Sequence, residues 1–135
     1  MALADIVAAA LEDDDAINAA VSGIRPVNAG ISDDRPFILY ESKGIGAVAA
    51  LNCVTNNYSG QIVIHVVADK HEQCQSICED VKTVLNGLVR SDGTYKLCYC
   101  MLVDEDDIDQ EIDESEKPFY VRALTFDVRG RKLTA

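Results

Sequence analysis

Gly44-Ile45-Gly46-Ala47-Val48-Ala49 matches the G-x-G-x-x-G/A pattern of phosphate-binding turns. In that chemistry the glycines let the backbone approach a pyrophosphate, and the N-terminus of a following helix holds its charge. Asp69, at the end of the next strand, stands about where a ribose-binding acid falls. The pattern demands a real helix of about ten residues or more from Ala47 onward. Asn52 and Val54-Thr55-Asn56-Asn57 are weak helix formers and resist that demand. Asp69 also has a simpler use, as a helix cap. The remaining chain offers no second set of crossover units to complete a doubly wound sheet. A small nucleotide- or metabolite-binding enzyme built on Gly44–Ala49 is therefore the alternative reading and not the first.

The cysteines invite a metal reading. Cys74 and Cys78 share a helix face, and Cys98 and Cys100 share a strand face. No pair has the spacing of a zinc knuckle, and both histidines lie elsewhere, His65 in a strand and His71 at a helix start. Cysteine is among the most frequently buried residues, so core packing is favoured over a metal. Asp107-x-Asp109-x-Glu111 imitates the first ligands of a calcium loop, but Ile112 occupies the place of the sharp-turn glycine. No serine–histidine–acid set can be placed. The residues name no catalytic group, no cofactor and no metal.

Charge is the remaining signal. The chain has 135 residues with a formal net charge of −11, and 48% of them are hydrophobic. This suits one globular domain, 1–135, and argues against a nucleic-acid-binding surface. Nine acidic residues and no basic one fall between Asp104 and Glu116, so the rest of the chain is nearly neutral. The run reads as an extended, mobile loop. No basic stretch or long apolar run opens the chain, so neither a secretory signal nor a membrane span is expected, and the five cysteines should be free thiols.

The elements that must position these groups follow from periodicity. Leu3, Ile6, Val7, Ala10 and Leu11 mark a helix over about 2–13, and Asp15 reads as the N-cap of a short turn through Val21. Ile24 to Val27 is extended and confined to an edge by Pro26. Phe37 to Glu41 reads as a strand, and Ile45 to Asn57 as a loop leading to a strand near 52–55. Gln61 to Ala68 is β-branched on nearly every position, the signature of a central strand covered on both faces. Asp69 and Glu72 have capping-box spacing before a helix whose stripe is Cys74, Ile77, Cys78, Val81, Val84, Leu85 and Leu88. Gly87 is placed for a left-handed cap. Thr94 to Val103 and Phe119 to Val128 are further strands, with Arg129 to Lys132 as a basic tail. The sum is an α+β fold, a mostly antiparallel β-sheet with two main helices packed on one face.

In layout the chain resembles the tail terminator, or tail completion, proteins of long-tailed bacteriophages. The likeness rests on the opening helix Leu3 to Leu11 followed by Asp15-Ala16-Ile17, and on Arg35-Pro36-Phe37-Ile38-Leu39-Tyr40 leading into a strand. The passage from Gln61–Ala68 into Cys74-x-x-Ile77-Cys78-x-x-Val81 is similar too, as is the closing Pro118 to Val128. The acidic run is longer, and the Gly44 to Leu51 segment richer in alanine, than the family pattern. The resemblance implies a virion protein assembled in the host cytoplasm, a homo-oligomer forming a hexameric ring at the head-proximal end of the tail tube. Such a ring stops tube polymerisation and joins the tail tube protein to a head-completion or connector protein. It implies no catalytic residues.

Within such a ring two surfaces of opposite sign become candidates. Asp104, Glu105, Asp106, Asp107, Asp109, Glu111, Asp113 and Glu114 would face the channel or a partner. Arg129, Arg131 and Lys132 would serve subunit contacts, since a ring needs two different surfaces to meet. Carboxylates along a channel repel phosphate, so DNA would pass without specific binding.

Overall fold

The computed structural model describes residues 2–27, 35–50, 53–108 and 119–133, with backbone alone at 2, 46–50, 53–56 and 108. The apolar stripe of Leu3, Ile6, Val7, Ala10 and Leu11 forms the buried side of α1 (Ala2–Glu12). α2 (Asp15–Ala20) follows, with Ile17 fully buried. Its cap is Asp14, not Asp15: the Asp14 carboxylate accepts from the Ile17 N–H at 3.1 Å. In a run of three aspartates only the backbone turn decides which one caps.

Six strands make one sheet: β1 (Ile24–Pro26), β2 (Phe37–Ala50), β3 (Cys53–Ala68), β4 (Arg90–Ser91), β5 (Tyr95–Ile108) and β6 (Tyr120–Lys132). Their order is β1-β2-β3-β6-β5-β4, antiparallel throughout except for the parallel β1–β2 edge. Ile62, Ile64, Val66 and Ala68 of β3 are fully buried beside Leu124, Phe126 and Val128 of β6. Over this face lies α3 (His71–Leu85), contributing Cys74, Ile77, Cys78, Val81 and Leu85, and α1 and α2 join the same core. The opposite face has a smaller cluster of Phe37, Leu39 and Val67, joined by Phe119 and Val121. The fold is α+β with its helices on one side of the sheet.

Three further local expectations are corrected. The first concerns 45–57, where a loop leading to a strand near 52–55 was expected and β2 and β3 instead pair almost to the hairpin tip, through Ala49↔Val54 and Ala50↔Cys53. Gly44 at φ 67° and register shifts between Lys43 and Gly46 and between Ala47 and Ala49 bulge the strand. Cross-strand pairing has overridden weak local propensity. No helix follows Gly46, so these glycines shape a bulge and the alternative reading loses its phosphate turn. Gly60 serves the same bend: a Cβ there would lie 2.5 Å from the Ile45 Cα.

The second concerns Asp69, which does not cap α3. Lys70 holds the cap position without a side-chain hydrogen bond, and Asp69 instead accepts from Arg35 Nε at 2.6 Å. The third is that both β5 and β6 overrun their expected ends. β5 continues through Ile108, so the acidic run begins as strand, and Arg129 to Lys132 belong to β6 and not to a tail.

The far end of α3 closes as expected, with Gly87 at φ 83°. It also meets the outer margin of β5. The Gly87 N–H donates to the Cys100 carbonyl at 2.7 Å, and Leu102 N–H donates to Asn86 Oδ1 at 3.0 Å.

Candidate assembly surfaces

The acidic run divides between the two faces of the sheet. β5 pairs Glu105 with Leu124 and Asp107 with Arg122, which places both acids on the helix side. Asp104 and Asp106 pair with Thr125 and Ala123 and fall on the helix-free side, exposed. Asp109, Glu111, Asp113 and Glu114 lie outside the described residues.

Arg122 organises the helix-side acids. Its Nε donates to Asp107 Oδ1 at 2.8 Å and its Nη1 to Glu105 Oε1 at 3.1 Å. Lys82 on α3 reaches Glu105 at 3.0 Å and Glu79 at 2.7 Å. Arg122 is only 15% exposed and Glu105 29%, so this half-buried chain is shielded better than a surface pair. It resolves how four consecutive acids join a strand: two of them meet cations and two point to water. Sequence reasoning missed the clamp, although an arginine within the apolar alternation of Phe119 to Val128 was its signal.

The Arg122 guanidinium, chiefly by its hydrogen bond, holds the Asp107 carboxyl below the usual aspartate range. A depressed carboxylate contributes stability above its unfolded pKa near 4 and loses it as pH falls through the lower folded value. Asp107→Asn is therefore expected to lower the melting temperature more at pH 6 than at pH 3. Equal shifts at the two pH values would show that the clamp carries no net stabilisation.

The basic residues occupy the other end of the same ladder. Arg131 pairs with Lys96 and Asn57, and Lys132 with Tyr95. From Arg122 to Lys132 the strand advances on the order of 33 Å. Arg129 stacks on Tyr99, its guanidinium carbon 5.1 Å from the ring centroid. Tyr99, Met101 and Val103 are 39%, 36% and 51% exposed. Tyr99 and Met101 project from the helix-free face, because their neighbours Cys100 and Leu102 oppose Val128 and Phe126 on the other.

The cysteines stand apart from these surfaces. Cys74, Cys78 and Cys100 are buried in the core and Cys98 is exposed, and all four are free thiols. Cys78 is raised by its hydrogen bond to Cys74 and by burial, and burial pushes Cys100 up to about 12. Cys78 and Cys100 are thereby neutral packing groups. His65 Nε2 lies 3.2 Å from Glu41 Oε1, and His71 stacks edge-on to Tyr120, so each histidine has a local partner.

An open cleft of about 350 Å³ lies between α1 and the β1–β2 edge, lined by Asp5, Pro26, Tyr40, Glu41 and Ser42 among others. Burial, then Asp5 and Glu12, raises the Tyr40 hydroxyl. Among the described residues the cleft brings Asp5 and Glu41 to the Tyr40 phenol and no nucleophile–base pair.

No protein-family model matches the chain, and no curated protein matches it. Among solved structures, a chain of the virion of a native gene transfer agent (GTA) particle is similar. The TM-score is 0.71 at 16% identity, over 96% of this chain and 94% of that one. At that identity the likeness is one of fold.

Proposed function

We propose that this chain is a virion structural subunit, a tail terminator that forms a homo-oligomeric ring at the head-proximal end of a tail tube. The observation that carries the reading is the full-length fold likeness to a chain of a virion particle. The sequence layout points the same way on separate grounds. In this reading the ring, of six subunits, ends tube polymerisation and presents a surface to head-completion proteins, without catalysis.

Heterologous contact suits the ladder of β5 and β6, which carries acid at one end and base at the other. Asp104 and Asp106, exposed on the helix-free face, are the residues we place toward the channel, where they keep DNA from binding through counterion release. Negative-stain images and native mass of the purified protein test the ring. A monomer at every concentration, with tube protein present, overturns it.

The channel placement has its own test. Asp104 and Asp106 replaced together by asparagine should leave ring assembly intact and retain DNA or slow its passage. Failure to form rings would make the acids an assembly contact. Normal ejection would reduce them to solvated surface.

A further inference from the structure

The β2–β3 ribbon outruns the sheet that supports it. β6 accompanies β3 only as far as Asn57↔Arg131, while β2 and β3 stay paired to Ala50↔Cys53. β1 covers β2 only from Ile38 to Tyr40. Beyond these points the ribbon has two strands and, among the described residues, no third. A lone two-stranded ribbon is marginal in water and offers two unpaired edges. Proteins guard such edges with charge or proline. Here residues 44–59 contain neither.

In a chain with a net charge of −11, an uncharged stretch of this length has a specific use. Two copies of an acidic protein repel wherever their charged surfaces approach. The ribbon can approach without that cost. One surface of the chain suits it: Tyr99, Met101 and Val103 form an exposed apolar stripe on β5, with Arg129 laid over Tyr99, Asp127 paired with Met101 and Asp104 next after Val103. The stripe lies across β6 from β3, and the ribbon runs along its own strand direction, so it is not set to cover its own stripe.

We infer that the β2–β3 ribbon is an assembly arm that docks on the Tyr99–Met101–Val103 stripe of a second copy of this chain. The two surfaces differ, so the contact is heterologous and propagates from copy to copy until it closes. This rests on the ring reading and identifies the contact that builds the ring.

The test is native mass spectrometry of three variants, with circular dichroism to verify the sheet. Val48→Asp with Ala49→Asp charges the arm; Met101→Lys with Val103→Lys charges the stripe. Each pair alone should reduce the ring to monomers, at least a tenfold loss of assembled protein at the wild-type assembly concentration. All four substitutions together should restore assembly, since acid then meets base. If the arm and stripe variants, folded, assemble like the wild type, the arm inference fails while the ring stands. Dissociation in both pairs without rescue in the combined variant also overturns the pairing. If an arm variant does not fold, an Ala49→Cys, Met101→Cys chain carrying Cys53→Ser and Cys98→Ser replaces it. Mild oxidation should then yield covalent ladders between copies, and their absence counts against the contact. A wild type that never assembles refutes the ring reading itself.

Discussion

Phe126→Ala is expected to cost about 3–5 kcal/mol, the range for deleting a fully buried aromatic. Phe126 has no exposed surface, and its strand neighbours are Ile62 of β3 and Leu102 of β5. It lies in the single core that α1, α2 and α3 share with the sheet, so no element can slide in to fill the space. The cavity left behind adds to the lost transfer energy. For a chain of this size the melting temperature should fall by on the order of 10–20 °C. Denaturant melts read the same loss. A cost below about 1 kcal/mol would mean that this face of β6 is not packed under the helices.

Gly60→Val is expected to be nearly as damaging for a different reason. A Cβ at Gly60 would stand 2.5 Å from the Ile45 Cα and 2.7 Å from its backbone nitrogen. Backbone cannot rotate away as the end of a side chain can. The β2 bulge must shift, and overpacking of this kind costs about 1–3 kcal/mol or more. Gly44→Ala is the useful comparison. Its site is open, but its φ of 67° penalises any L side chain by about 1–2 kcal/mol. The pair separates steric from conformational cost in the same bend. A Gly60→Val protein that melts with the wild type would remove Ile45 from its position over β3.

These two sites also mark what was legible beforehand. The stripe of α3, the two-faced burial of Gln61 to Ala68 and the Gly87 cap follow from spacing, because burial of an apolar face is a local, periodic demand. In the run from Ile45 to Asn57 only a short strand near 52–55 was legible, and the continuous pairing was not. Its small residues carry no alternation, and its order comes from pairing along β2 and β3 that a linear reading does not contain. Asp69 misled because capping-box spacing is satisfied by sequence alone, whereas its partner Arg35 is 34 residues away. The acids of β5 misled for a related reason. Like charges in a row argue for extended coil until Arg122 and Lys82, brought from β6 and α3, divide them. Composition showed where the charge was concentrated; the cross-strand register showed which of it is neutralised.

The end of α3 does something further for the sheet. By giving the Gly87 N–H to Cys100 and taking the Leu102 N–H on Asn86, it occupies the margin of β5 as a borrowed piece of strand would. Past that seal, Asp104 to Asp107 guard the margin with carboxylates. The opposite margin, along β2 beyond Lys43, has neither protection among the described residues. A sheet with one closed and one open margin has a built-in stopping rule. Endless lateral stacking of the kind that makes fibres is thereby denied a second end from which to grow.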